Sequence, residues 1–369
     1  MTGDAPLYLG LISGTSADAI DAALVSFDGR PQVVAARAFA YPADVRGEIL
    51  ALSTSAGTVS LDALGRLDAR IGRAFADAAT ELIEHCGIER ARVRAIGSHG
   101  QTVRHRPRGE PPFTMQIGDP NVIAERTGIA TVADFRRRDV AAGGEGAPLA
   151  PAFHAAALRA AGEDRAILNL GGIANLTLLP ADEAAPVIGF DTGPANCLLD
   201  AWAASHLGAA RDEGGAIAAT GAPDPAVLSR CLAERYFAEK PPKSTGREEF
   251  DLQWLGAFGL AADAPTALAT LTELTAVSIA HAVRDHAPST RRVIACGGGV
   301  HNGFLMARIA AALDGIPLES SDAHGIDPDF VEAALFAWLA HAHVTGAAGN
   351  LPSVTGARGP RVLGALHPP

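Results

Sequence analysis

One carboxylate stands out for its setting: Asp191, in the run Ile188-Gly189-Phe190-Asp191-Thr192-Gly193-Pro194-Ala195-Asn196. Pro186 to Phe190 reads as a buried strand, Gly193-Pro194 as its break and Asn196 onward as a helix, which sets Asp191 at a turn. At the carboxyl end of a strand in an open α/β sheet such a group faces the ligand crevice. An isolated Asp-x-Gly-Pro more often caps the following helix or supports the turn, so the assignment rests on what accompanies it.

Three small-residue turns accompany it. Leu7 to Ile12 and Ile20 to Phe27 form a hairpin around Ser13-Gly14-Thr15-Ser16, with Asp18 and Asp21 just beyond, close enough for a metal-bound water. Such a turn gathers backbone N–H groups and hydroxyls around one point without bulk, as a phosphate chain requires. Ile167 to Leu170 and Asn175 to Leu179 flank Gly171-Gly172-Ile173-Ala174, a second hairpin alike in pattern but barely in residue identity. Val293 to Cys296 then enters Gly297-Gly298-Gly299-Val300-His301-Asn302-Gly303, ahead of a helix from Phe304 to Leu313. A triple glycine between strand and helix lets backbone approach a flat base or a ribose. Because Asn302 holds the last place of Gly-x-G-x-x-G and no Gly-x-x-x-x-Gly-Lys-Ser/Thr occurs, the Rossmann and Walker readings both fail.

Other polar groups collect at strand and helix ends. The strand Arg94 to Gly97 runs into Ser98-His99-Gly100-Gln101-Thr102-Val103-Arg104-His105, a binding edge in which His99 is either a satisfied core histidine or a donor to a sugar hydroxyl. Arg136-Arg137-Arg138-Asp139 followed by the glycine-rich stretch Ala141 to Pro148 has the composition of a domain junction. An arginine run is usually a solvated face, but beside a cleft it clamps carboxylates. Glu332, near the start of a helix from Pro328 to Val344, is either a second carboxylate at the ligand or a partner of the helix dipole.

The elements that position these groups alternate strand and helix, which predicts an α/β fold. Leu61, Leu64, Leu67, Ile71, Phe75, Ala78 and Leu82 recur at helical spacing over Leu61 to Cys86, with Ser60 as N-cap and Gly87 as stop. With 369 residues, 48% hydrophobic and 19% charged, the chain is globular and long enough for two domains. No basic-then-apolar leader is evident, and no run reaches the roughly 18 apolar residues that span a bilayer, so no membrane partner and a cytoplasmic location are expected. Cys86, Cys197, Cys231 and Cys296 are scattered, and no His-Glu-x-x-His occurs, which argues against a disulfide framework and a histidine metal site. The formal charge of −11 opposes nucleic-acid binding.

Taken together, the glycine turns resemble the phosphate-1, phosphate-2 and adenosine elements of the sugar kinase, hsp70 and actin superfamily. Within it, Gly10 to Ser16, Ile96 to Thr102, Leu168 to Asn175, Gly189 to Asn196, Cys296 to Asn302 and Leu351 to Ala357 resemble, in that order, the anhydro-N-acetylmuramic acid kinase family. The resemblance runs the full length. It implies a two-domain, ribonuclease H-like fold around a central ATP and substrate cleft. Residues 1–140, completed by a tail from about 345 to 369, would form one domain and 141–344 the other. It also implies an ATP- and magnesium-dependent homodimer of cell-wall sugar recycling that opens the 1,6-anhydro ring with water while phosphorylating the 6-oxygen. Asp191 would be the base. Gly14, Thr15, Ser16, Ala17, Asp18, Ala19, Ile20, Asp21, Gly171, Gly172, Gly297, Gly298, Gly299 and Asn302 would hold the nucleotide, with Asp18 toward the metal. His99, Gln101, Arg104, Arg136 and Glu332 would contact the sugar, with Arg137 a further partner for its lactyl carboxylate. One departure is Ala19, where the family's first turn usually has glycine. The alternatives are an ordinary N-acetylhexosamine kinase of the same fold, in which Asp191 deprotonates a hydroxyl and no water is consumed, and an ATP-driven binding protein.

Overall fold

The computed structural model describes residues 5–14, 16–54, 58–260 and 263–369. The chain begins with β1 (Leu7–Ser13), β2 (Ile20–Ser26), β3 (Gln32–Phe39), α1 (Ala43–Thr54) and α2 (Leu61–His85). Next come β4 (Val93–Arg106), β5 (Phe113–Ile117), α3 (Pro120–Thr127), β6 (Thr131–Ala133), α4 (Arg137–Ala141) and α5 (Ala150–Leu158). They are followed by β7 (Arg165–Leu170), β8 (Ile173–Leu179), β9 (Ile188–Pro194), α6 (Asn196–Leu207), α7 (Pro225–Leu232), α8 (Arg235–Ala238) and α9 (Leu252–Gly256). Then come α10 (Ala264–His286), β10 (Arg292–Cys296), α11 (Gly303–Ala312) and β11 (Leu318–Ser320). The remaining elements are α12 (Val331–Thr345), α13 (Pro352–Thr355) and β12 (Ala365–His367).

Two compact units result, Met1–Ala157 with Gly325–Pro369, and Leu158–His324. In the first the strand order is β12-β6-β4-β1-β2-β3, with β5 an antiparallel partner of β4. In the second it is β11-β10-β7-β8-β9. Each unit is thus an antiparallel three-strand meander whose first strand is extended by two parallel strands, β4 and β6 in one, β10 and β11 in the other. This duplicated mixed α/β architecture is the fold class that the resemblance implies.

Local signals explain much of it. Ser60 caps α2 by accepting a hydrogen bond from Ala63 N at 3.1 Å, and Leu67, Ile71, Phe75, Ala78 and Leu82 bury one face of the helix. Helix α10 is long and apolar enough to cross a membrane, yet 72% of its apolar window is buried as the core helix of the second unit. Isolated polar residues such as Glu273 interrupt its apolar run in the sequence.

The packing of α12 turns on two strand glycines. A Cβ on Gly10 of β1 would sit 1.8 Å from Ala333 O, and one on Gly97 of β4 would sit 1.9 Å from Phe336 O. Glycine at both positions lets helix backbone rest on sheet backbone. Residues 325–344, expected with the second domain, therefore pack with the first. The stretch 136–148, expected as a junction, also belongs to the first unit. It forms α4 and is tied down by Asp139, which is fully buried. Asp139 Oδ2 accepts from Gly146 N (2.8 Å), and Oδ1 accepts from Asn350 Nδ2 (2.6 Å) and Thr355 Oγ1 (2.8 Å).

Gly97→Ala is expected to destabilise the protein by about 2 kcal/mol or more, since the methyl group meets backbone that has no room to move aside. Gly65→Ala in α2, where no atom lies within 4 Å of the added Cβ, should be neutral or stabilising. Thermal melts of the two variants check this; equal melting temperatures would show that α12 does not need the glycine floor.

Candidate active site

The first unit's turn between β1 and β2 is held by side chains. Gln101, fully buried on β4, donates from Nε2 to Gly14 O (3.0 Å), and Tyr41 OH donates to Gln101 Oε1 (3.4 Å). Ala17 N donates to the same Gly14 O (3.1 Å), and Ala17 is buried in the left-handed region at φ 50°. Arg46 donates from Nε to Ala17 O (3.1 Å) and from Nη2 to Asp18 Oδ1 (2.6 Å). Gly14 and Ser16 are exposed, Ala19 is half-buried and Ile20 is in the core. Thr15 lies outside the described residues.

The two aspartates of this hairpin differ. Asp18, expected toward a metal, is ion-paired with Arg46, whose guanidinium already meets the negative charge that its carboxylate would offer a cation. Asp21 on β2 has its carboxyl pushed up to about 6, first by burial and then by the negative charges of Glu332 and Asp329. Among the described residues no group of three or more His, Cys, Asp or Glu could hold a metal ion.

Arg136 organises a second cluster in this unit. It donates from Nε to His99 Nε2 (3.0 Å) and from Nη1 to Gly146 O (2.8 Å). Because a guanidinium never accepts, His99 Nε2 bears the lone pair and the ring proton sits on Nδ1. Burial, reinforced by Arg136, holds His99 well below the usual histidine range, and its ring packs 4.6 Å from that of Phe336. Burial also lowers Arg136 to about 10, while Glu332 opposes the shift. Glu332 itself, in the first turn of α12, is reached by solvent, yet desolvation by the surrounding protein raises its carboxyl and Arg136 pulls it back.

The expected sugar contacts therefore divide. Arg136 and Glu332 come together. His99 and Gln101 are both buried, one bonded to Arg136 and the other to the Gly14 turn. Arg104 donates from Nη1 to Leu52 O (3.0 Å) and Val103 O (2.6 Å), and Arg137 lies 3.5 Å from Asp134. Strand β4 also runs on through the polar stretch to Arg106 instead of ending at Gly97, because β5 pairs with it.

In the second unit Asp191 lies within β9, opposite Asn175, and not at a turn after the strand. Its backbone N donates to Lys243 O (3.1 Å) and its carbonyl accepts from Tyr236 OH (2.8 Å). Its Oδ2 accepts from Ser244 Oγ (3.0 Å) and Thr245 N (3.0 Å). No donor among the described residues bonds Oδ1. Burial raises the carboxyl above the usual range, opposed by Thr245, Ser244 and the charge of Lys243. The clamp of Tyr236, Lys243, Ser244 and Thr245 has no periodic signature; the signal for it is the small-polar, glycine and cation content of Lys243-Ser244-Thr245-Gly246-Arg247.

The glycine turns of this unit are packed by backbone. Gly171 O accepts from Asn196 N (3.1 Å) and Asn196 Nδ2 (2.9 Å), while Gly172 O accepts from Ala195 N (3.0 Å) and Cys197 N (3.0 Å). The triple glycine divides by role. A Cβ on Gly297 would meet Asn169 Oδ1 at 2.5 Å and one on Gly299 would meet Leu170 Cβ at 2.6 Å, so both are packing glycines. Gly298 is exposed and has nothing within 4 Å of its Cβ position. Asn302 caps α11, its Oδ1 accepting from Leu305 N at 3.0 Å.

Residues 6–369 match the family described as anhydro-N-acetylmuramic acid kinase. The chain is 58% identical to the anhydro-N-acetylmuramic acid kinase of Xanthomonas campestris pv. campestris (strain 8004), over 98% of this chain and 97% of that one. It is 54% identical to the enzyme of the same name from Xylella fastidiosa (strain Temecula1), over 99% and 97%. Among solved structures it is similar to the activator of the 2-hydroxyisocaproyl-CoA dehydratase from Clostridium difficile with bound ADPNP, at 14% identity and a TM-score of 0.46, covering 92% and 96%. With the family match reaching the last residue and relatives more than half identical over nearly their whole length, the chain belongs to the anhydro-N-acetylmuramic acid kinase family.

Proposed function

We propose that Asp191 is the base of a reaction in which water opens the 1,6-anhydro ring of anhydro-N-acetylmuramic acid while ATP phosphorylates the 6-oxygen. The observation that carries this is a carboxylate with one oxygen held by Ser244 and Thr245, the other left open, and a proton affinity raised by burial. Oδ1 takes a proton from water as its oxygen attacks C1. The C1–O6 bond breaks, and the departing O6 accepts the γ-phosphoryl group in place of a proton. The products are N-acetylmuramic acid 6-phosphate and ADP. Phosphoryl transfer needs mainly positioning and charge neutralisation, so one base suffices for the pair of steps.

Gly14, Ser16 and the Gly171-Gly172 turn supply backbone for the phosphates, and Gly298 faces the nucleoside, a reading supported by the open space above it. Arg136 and Glu332 form the sugar-contacting pair. Magnesium accompanies the nucleotide. It typically keeps several waters and takes one or two carboxylates plus phosphate oxygens, so the lack of a dedicated cage among the described residues fits it. Asp21, whose carboxyl lacks a compensating cation, is the better partner than Asp18, and the ion would neutralise phosphate charge there. A homodimer is part of this reading on the resemblance alone, and light scattering checks it.

Asp191→Asn should lower turnover by about 10² to 10⁴ while ATP still binds. Promptly trapped wild-type product made in ¹⁸O-water should carry label on the anomeric hydroxyl and none on phosphate. Near-normal turnover of the variant, or unlabelled product, would point to plain phosphorylation of a hydroxyl. Gly298→Val should leave the melting temperature unchanged and weaken ATP binding, read by calorimetry; unchanged affinity would move the nucleoside elsewhere.

A third expectation concerns pH. Asp21 is raised in the folded protein, so the native state holds its proton more tightly than the unfolded chain, and stability falls as pH rises from about 4 through 6. Asp21→Asn removes that titration. Its unfolding free energy should exceed the wild type's at pH 7 to 8, by on the order of 1 kcal/mol after solvent screening, with the gain vanishing near pH 4, as read by denaturant melts across that range. A constant offset across this range would contradict the crowded carboxylate.

A further inference from the structure

The loop that clamps Asp191 carries two cations with different fates. Lys243 is engaged: Nζ donates to Tyr236 O (2.9 Å) and lies 4.4 Å from the Tyr236 ring centroid. Arg247, four residues on, lies over the turn between β7 and β8. A Cβ on Gly172 would come within 2.6 Å of its Nε and 2.8 Å of its Nη2, so the guanidinium lies directly against the face that this glycine leaves open. The side chain is exposed, and no acceptor among the described residues takes a hydrogen bond from it. The turn's carbonyls are already occupied by Ala195 N, Asn196 and Cys197 N. Its charge is felt at Cys197 and Asp200 of α6.

A guanidinium that presents a fork of donors, sits on a glycine turn and finds no protein acceptor is arranged for an external oxyanion. Two neighbours favour the same charge. Helix α6 begins at the turn and directs its positive dipole end there. Gly171 is uncrowded, its nearest neighbour to an added Cβ being 3.6 Å away, so an anion has access to backbone beside the guanidinium.

We propose that Arg247 binds the terminal phosphates of ATP over the Gly171-Gly172 turn and neutralises charge that builds on the transferring phosphoryl group. This rests on reading that turn as the second phosphate turn. The loop from Lys243 to Arg247 then couples both halves of the reaction, holding the base that activates water at one end and the nucleotide's phosphates at the other. Asp200, which feels the charge of Arg247, feels that of Arg211 first, and no ion pair within 4.0 Å joins Arg247 to an acid among the described residues.

The test uses full-length Arg247→Ala and Arg247→Lys, with calorimetry against ADP and adenosine and steady-state kinetics. Arg247→Ala should weaken ADP binding and raise the KM for ATP by about 10- to 100-fold, while adenosine affinity and the KM for the anhydro sugar stay within about threefold. Arg247→Lys should recover part of the loss, and added guanidinium ion should restore part of the turnover of the alanine variant. Unchanged ADP affinity overturns the proposal. So does an equal loss of adenosine affinity, which would make the loop a structural support, or a rise confined to the sugar KM, which would assign Arg247 to the sugar's carboxylate. Gly171→Val separates the proposal from its premise. If that variant loses ADP affinity and Arg247→Ala does not, the turn stands and the arginine falls; if neither loses affinity, both fall.

Discussion

Backbone-on-backbone contact between α12 and the first sheet is the constraint on which that unit's chemistry depends. Gly10 and Gly97 remove the side chains that would otherwise hold the helix a full layer away. At that distance the first turn of α12 brings Glu332 within electrostatic reach of both Asp21 and Arg136. The same helix presents Phe336 to the His99 ring, which supports Arg136 in turn. One close approach therefore sets a carboxylate, a guanidinium and a neutral histidine together. Because all three depend on where α12 rests, lifting the helix by a methyl group disturbs all three at once.

Two aspartates, Asp139 in the core and the half-buried Asp191, show how hydrogen bonding separates a strut from a carboxylate with an oxygen to spare. Asp139 has both oxygens taken by Gly146, Asn350 and Thr355, and solvent does not reach it. The lone pairs it uses face protein, so it ties the segment carrying Arg136 to the C-terminal stretch. Asp191 is anchored through its backbone at both N–H and C=O and through a single oxygen. Its position is fixed as firmly as that of Asp139, but half of its carboxylate stays open. Burial raises its proton affinity above that of a solvated carboxylate.

Periodic and local features were legible in the sequence. The α2 stripe, its Ser60 cap, both hairpins and the helix after the triple glycine follow from neighbours a few residues apart. Features that depend on distant partners were not. Gly193-Pro194 reads as a break, yet β9 is an edge strand, where a terminal proline removes no ladder bond, so the strand runs on past Asp191. The polar residues of β4 read as a binding edge because their partners, Gly14 for Gln101 and Arg136 for His99, are far away in the chain. Likewise the Arg-rich, Gly-rich stretch after Phe135 reads as a linker until Asn350 and Thr355 arrive to bury Asp139. The clamp on Asp191 comes from a loop without periodicity, and residue type alone does not say which strand it covers.

The two glycine hairpins share a topology but not a means of support, and that difference bears on how each meets a ligand. The Gly171-Gly172 turn is bonded mainly by backbone N–H groups at the start of α6, in an arrangement that moves only if the helix moves. The Gly14 turn is held chiefly by the ends of long side chains, Gln101, Tyr41 and Arg46, and its link to Asp18 is an exposed ion pair of the kind worth about 0 to 1 kcal/mol. Side-chain tethers yield by rotamer changes, whereas a backbone lattice does not. The second turn is therefore the more rigid of the two, fixed on the same unit as Asp191, and the first is the one able to adjust.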